Sequence, residues 1–242
     1  MRARQRHLNP KAAGAHTALD SRFEFSVATG TAISSWVSRT GSNDASQATG
    51  SNQPLYTTNA INGQPAILFD GTDDFMTIST SITSNSVSVI AVGYKTSLGG
   101  ATNSASRITT IWNTGDNSFN PGDYATTKAW AVLYYNTNAY RSYRNSSEIW
   151  NIAQGYVPAV LAAVLDGSSV TGSVNGTTAT GTTSATSLNS NQIRLAAEPQ
   201  AGASGYLNGY IGYLVYFLSV LTAPMRRRLE RGAGYSFKIA CS

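Results

Sequence analysis

Apolar and polar positions alternate along this chain in short runs, and glycine-containing pairs close many of them. The densest example lies between Asn59 and Ile78. There the apolar run Ile67-Leu68-Phe69 sits between Asn62-Gly63 and Asp70-Gly71, and Phe75-Met76-Thr77-Ile78 resumes the alternation. Asn-Gly and Asp-Gly reach positive φ cheaply, so each pair closes a tight turn between strands. The same arrangement recurs where Val157 to Leu165 ends at Asp166-Gly167 and Val170 to Val174 ends at Asn175-Gly176. Strands closed at this spacing form a meander, the unit of an antiparallel sandwich.

Further strands follow from the same pattern. Ser86 to Tyr94 is β-branched and nearly continuously apolar, as a strand buried on both faces would be. Ile108 to Trp112, Ile193 to Ala196 and Tyr210 to Phe217 read as strands. Trp130 to Tyr135 and Ala139 to Arg144 read as a hairpin, and Ile33 to Arg39 alternates around Trp36, a core anchor. Thr40 to Asn52 and Asn113 to Thr127 read as loops, and Thr177 to Ser190 as a Thr/Ser-rich low-complexity stretch. One helix is expected over 223–231. Thr222 would cap it, Pro224 sits in its first turn, Met225 and Leu229 share a face, and Gly232 and Gly234 would end it. Arg226, Arg227 and Arg228 would fall mostly on its outer side. In the last strand, strict alternation puts Ile211, Tyr213, Val215 and Phe217 on one face and Tyr210, Gly212, Leu214 and Tyr216 on the other. One of these faces packs the core, and the opposite one, too apolar for solvent, needs a cover: the helix, a neighbouring chain or a sugar ring.

Composition narrows the function classes. The 242 residues are 41% hydrophobic and 12% charged, which excludes wholesale disorder and suits one sandwich with polar, uncharged turns. The net charge of +5 is uneven: residues 1–16 carry +4, residues 226–242 carry +4 and the rest carries −3. A basic arm (1–17) followed by one domain (18–242) is the expected organisation. A nucleic-acid-binding domain would show a basic face across its body, so nucleic acid is not an expected partner. The single cysteine, Cys241, allows no intramolecular disulfide and no cysteine zinc site. No apolar run reaches the length of a signal-peptide core or a membrane span, so neither general secretion nor membrane insertion is expected.

Three blocks resemble a known family. They run from Leu19-Asp20-Ser21-Arg22 through Ile33-Ser34-Ser35-Trp36, and from Gln53-Pro54-Leu55-Tyr56 through Phe69-Asp70-Gly71-Thr72-Asp73-Asp74-Phe75. The third runs from Leu207-Asn208-Gly209-Tyr210-Ile211-Gly212-Tyr213 through Leu229 to Tyr235-Ser236-Phe237-Lys238-Ile239. Together they resemble concanavalin A-like jelly rolls, specifically the laminin-G-like domains of bacteria and phages. Phe237 stands where such domains often carry Trp. The resemblance implies an all-β fold, a two-sheet antiparallel jelly-roll sandwich with a short C-terminal helix, and lectin-like attachment.

Catalytic plans lack their parts. Glycan-cleaving relatives of this fold carry Glu-x-Asp-x-Glu or a close variant, which sets two carboxylates about 5–5.5 Å apart; Glu24, Glu148 and Glu198 form no such pattern. Both histidines, His7 and His16, fall in the arm, which leaves a serine triad without a base. No enzyme activity, cofactor or metal is expected. Asp70, Asp73 and Asp74 could offer oxygens to calcium, but turn capping accounts for them more simply. Tyr140, Tyr143 and Arg144 are the candidate glycan contacts, and Arg2, Arg4, Arg6 and Lys11 the candidate assembly contacts. The leading expectation is therefore a structural or attachment subunit of a phage particle: capsid decoration, head fibre or tail-associated, homo-oligomeric and on the virion surface. The alternative is a carbohydrate-binding module for host or bacterial-surface glycans.

Overall fold

The structure, a computed structural model, describes residues 13–23, 25–96, 105–112, 130–136, 139–144, 147–183, 188–197 and 205–242. Two antiparallel sheets stack face to face. The first runs, from edge to edge, through β14 (Thr177–Thr182), β13 (Ser169–Val174), β12 (Ala159–Asp166), β7 (Ser86–Lys95), β16 (Asn208–Phe217), β5 (Gln64–Asp70) and β4 (Leu55–Ile61), with β1 (Thr17–Asp20) also paired to β16. The second runs through β11 (Ser147–Ala153), β10 (Ala139–Arg144), β9 (Trp130–Asn136), β8 (Ala105–Trp112), β15 (Ser190–Leu195), β6 (Met76–Ile82), β3 (Ala45–Ser46) and β2 (Ser35–Trp36). One helix, α1 (Ala223–Phe237), follows β16. The all-β sandwich with a C-terminal helix is the expected fold class.

The glycine pairs act as their sequence suggests. Asn62 (φ 50°) and Gly63 (φ 84°) join β4 to β5, and Asn175 (φ 51°) and Gly176 (φ 91°) join β13 to β14. Positive φ at both central residues matches the twist of the flanking strands.

Two apolar layers account for the long hydrophobic runs. Between the sheets lie Leu19, Trp36, Phe69, Val89, Trp130, Leu161 and Tyr216, among others. On the outer face of the first sheet, Ile90, Val92, Val160, Val215 and Phe217 pack with Leu229, Ala233 and Phe237 of α1. The middle of this sheet is thus covered on both sides, and α1 is the cover required by the face of β16 turned away from the core.

Four details depart from expectation. First, β16 carries a bulge, a register shift between Ile211 and Tyr213. Ile211 therefore joins Leu214 and Tyr216 in the inter-sheet core, while Tyr213, Val215 and Phe217 face the helix. A bulge adds one residue and swaps the faces on either side of it. Second, α1 continues past Gly232 and Gly234 to Phe237 and closes at Lys238 (φ 55°), with the Ile239 N–H donating to the Gly234 carbonyl at 2.8 Å. Burial of Ala233 and Phe237 outweighs the weak helix propensity of glycine. At the other end Thr222 occupies the cap position without a side-chain hydrogen bond. Third, Arg226 is buried and ion-paired to Glu230 at 3.4 Å, so only Arg227 and Arg228 of the arginine run face outward. Fourth, β11 and β14 are strands that the alternation pattern missed. Ile149 and Trp150 are consecutive buried residues in β11, and β14 is a polar edge strand of threonines.

Candidate functional site

The turn after β1 and the outer flank of α1 enclose a cleft of about 190 Å³. Its position follows from the bulge. The Ser21 N–H donates to the Gly212 carbonyl (3.0 Å), and the Ser21 hydroxyl donates to the Pro65 carbonyl (2.7 Å), tying the turn to β16 and β5. At Gly212 any side chain would collide with the Phe237 ring, since a Cβ there would lie 2.5 Å from its Cε1. Glycine at the bulge thus lets α1 seat close to the sheet.

The charged floor of the cleft is preorganised. Asp20, only 1% exposed, accepts two hydrogen bonds from the Arg22 guanidinium, from Nε at 2.9 Å and from a terminal nitrogen at 2.6 Å. Arg39 approaches the same carboxylate at 3.6 Å. The Arg22 guanidinium carbon also lies 5.0 Å from the ring centres of both Phe23 and Phe237, and that of Arg39 lies 4.4 Å from the ring centre of Phe23. Such stacking and fork pairing fix planar cations in place. Phe23 itself is 61% exposed. Arg228, Leu229 and Gly232 of α1 and Tyr213 of β16 also line the cleft. Burial, reinforced by the nearby Asp20, holds the Tyr213 phenol well above its ordinary value, so it stays a neutral O–H group. The described lining thus places two arginines on one aspartate and a third, Arg228, elsewhere in the same cleft, beside an open aromatic ring. Such a surface can grip a carboxylate, sulfate or phosphate and hold an apolar face beside it.

Of the residues favoured by sequence, Tyr140 alone has a described side chain, and it lies elsewhere. Tyr140 is fully buried in the inter-sheet core, so its ring packs against protein and cannot stack on a sugar. The aromatic spacing of β10 reflects core filling at that position. Tyr143 and Arg144 lie on the β10 backbone, with side chains outside the described residues, and Arg2, Arg4, Arg6 and Lys11 also lie outside them. On β16 the half-open aromatic is Tyr210, whose ring stacks on Tyr94 at 5.5 Å. Sequence reading missed the cleft because its cations come from three separated stretches, each an ordinary arginine on its own. Arg22 next to Phe23 was the available signal.

Asp70, Asp73 and Asp74 do converge, with carboxylate oxygens within 4.8 Å of one another. Asp70 Oδ1 accepts from the N–H groups of Thr72 (2.8 Å), Asp73 (3.3 Å) and Asp74 (3.4 Å), and Asp74 Oδ2 accepts from the Asp70 N–H (3.0 Å). These bonds make the cluster a capped turn. Burial, with Asp70 and Asp73 nearby, pushes the Asp74 carboxyl from an ordinary 3.8 up to about 6. Between those values the folded chain holds a proton that the unfolded chain has shed, so stability falls as pH rises through this window. Asp74→Asn is expected to remove about 1–2 kcal/mol of pH-dependent stability between about pH 4 and pH 7. Urea unfolding of both proteins across that range measures it; identical pH profiles would contradict the burial argument.

Among the described residues no helix is long and apolar enough to cross a membrane. No family model matches the chain, and no curated protein does. Solved structures do. A Trypanosoma rangeli sialidase in complex with sialic acid superposes with a TM-score of 0.62 at 13% identity, covering 90% of this chain and 33% of that one. The binding domain of botulinum neurotoxin serotype D superposes with a TM-score of 0.58 at 10% identity, covering 93% of this chain and 50% of that one. The chain therefore spans a third of the sialidase and half of the toxin domain. At these identities the likeness establishes a shared β-sandwich fold.

Proposed function

We propose that this chain is a non-catalytic attachment module of concanavalin A-like, laminin-G-like type that binds carbohydrate in the cleft between the β1 turn and α1. The observation that carries this reading is Phe23: a mostly exposed aromatic ring flanked by two guanidiniums that a buried carboxylate and a second ring hold in place. An aromatic face accepts the C–H face of a sugar, and arginine forks accept its acidic or hydroxyl groups. The described acidic triad is engaged in a turn, which supports attachment over turnover. The fold it shares with a sialidase solved with sialic acid, and with a toxin binding domain, adds support of a general kind. Attachment of this sort would also serve a phage surface subunit, the role suggested by the sequence resemblance and the basic arm.

A glycan array followed by calorimetry on the strongest hit tests the proposal. Phe23→Ala combined with Arg228→Ala is expected to weaken binding at least tenfold, equivalent to about 1.4 kcal/mol. Because both side chains are exposed, the circular dichroism spectrum and melting temperature should stay close to those of the unaltered chain. Absence of any glycan hit, or unchanged affinity in the double variant, would refute it.

A further inference from the structure

The cleft continues onto the outer surface of α1. Buried positions Arg226, Leu229, Glu230, Ala233, Gly234 and Phe237 define the docked side of the helix. The opposite side presents Arg227, Arg228, Arg231 and Tyr235, all exposed, with Tyr235 at 66%, and the exposed Lys238 follows as the left-handed cap. Spacings of three and four residues join Arg227, Arg228, Arg231 and Tyr235 in one stripe. Glu230, the sole acid of the helix, is on the buried side beside Arg226. No carboxylate of α1 therefore interrupts the stripe. At 1.5 Å per residue it extends about 10 Å from Arg228, which itself lines the cleft, to Tyr235. A pocket for one acidic sugar needs no such extension, whereas a chain of repeating anionic groups does.

Resting on the carbohydrate reading above, we infer that the ligand is a linear polyanionic glycan, with carboxylate or sulfate groups along its length, that enters the cleft and runs along the exposed stripe of α1. Charge complementarity sets the class of occupant. A single-stranded nucleic acid would call for a row of stacking platforms and a basic face across the body. The stripe offers one tyrosine, and the chain between its two basic ends carries −3. An interfacial helix would turn large apolar residues outward, and this stripe turns cations outward.

Calorimetry with sized oligosaccharides provides the test. The probes are carboxylate-only oligogalacturonates and sulfated heparin fragments, each as a disaccharide and as a long oligomer. A neutral oligosaccharide and a single-stranded oligonucleotide of matched charge complete the set. The long acidic oligomers should bind at least tenfold more tightly than their disaccharides, with an advantage that shrinks as salt is raised. The double variant Arg227→Ala/Arg231→Ala should erase that advantage and leave disaccharide affinity unchanged. Comparison of the two acidic series identifies which anionic group is recognised. If long and short oligomers bind equally, or the double variant keeps the length advantage, the stripe inference is overturned while the cleft reading stands. If the oligonucleotide binds as tightly as the long glycan, the occupant is wrong. If only the neutral oligosaccharide binds, the polyanion inference falls while the cleft reading stands; if no oligosaccharide binds, acidic or neutral, the underlying reading falls as well.

Discussion

Phe237→Ala should destabilise the chain by about 3–5 kcal/mol, the range for deleting a buried phenylalanine side chain. The ring is fully buried, packs over the glycine bulge at Gly212, and lies under the Arg22 guanidinium. Its loss removes apolar contact, leaves a void that neither the sheet nor the helix can close alone, and withdraws one of the two rings holding Arg22. Two readouts should therefore move together. The denaturation midpoint should fall, and affinity at the cleft should drop even under conditions where the variant remains folded. Phe237→Leu, which keeps much of the volume, should recover most of the stability but less of the affinity, because the ring face beneath Arg22 is absent. A loss below about 1 kcal/mol for the alanine variant would mean that α1 is not docked as described.

Gly172→Val is expected to be comparably severe, through crowding instead of a cavity. Gly172 lies in β13, and any Cβ there would run into the indole of Trp150 from β11 of the opposite sheet. Trp150 is nearly fully buried, so its ring has little freedom to move. Overpacking of this kind typically costs about 1–3 kcal/mol, and a rigid aromatic neighbour places the expected loss at about 3. A second change separates this account from a simple loss of strand flexibility. Trp150→Leu should open space for the valine, so the double variant should be more stable than the sum of the single losses predicts. Strict additivity would show that the two residues do not meet.

What sequence made legible here was local. Paired glycines with Asn or Asp declared their turns because glycine and asparagine reach positive φ at the least cost, and β7 declared itself through a nearly continuous apolar run rich in β-branched residues. The fold class followed from these. The shortfalls arose where neighbours decide. Gly232 and Gly234 lie inside a helix because Ala233 and Phe237 have a sheet to bury against. The faces of β16 swap at Gly212 because a helix must approach closely there. Tyr140 looked like an open aromatic because a strand's inward and outward tyrosines read alike. Asp20, Arg22, Arg39 and Arg228 form one site only after the turn and helix are brought together, so no single stretch could announce it.

The two-sided cover of the first sheet bears on how tightly such a module can hold its ligand. Its central strands, shielded from water above and below, should be the last part of the molecule to open in native-state fluctuations. The cleft is mounted beside the bulge in one of them, where a main-chain bond from Ser21 to Gly212 ties the β1 turn down. A recognition surface anchored in this slow-exchanging region loses little disorder when it captures a ligand, so more of the contact energy survives as affinity.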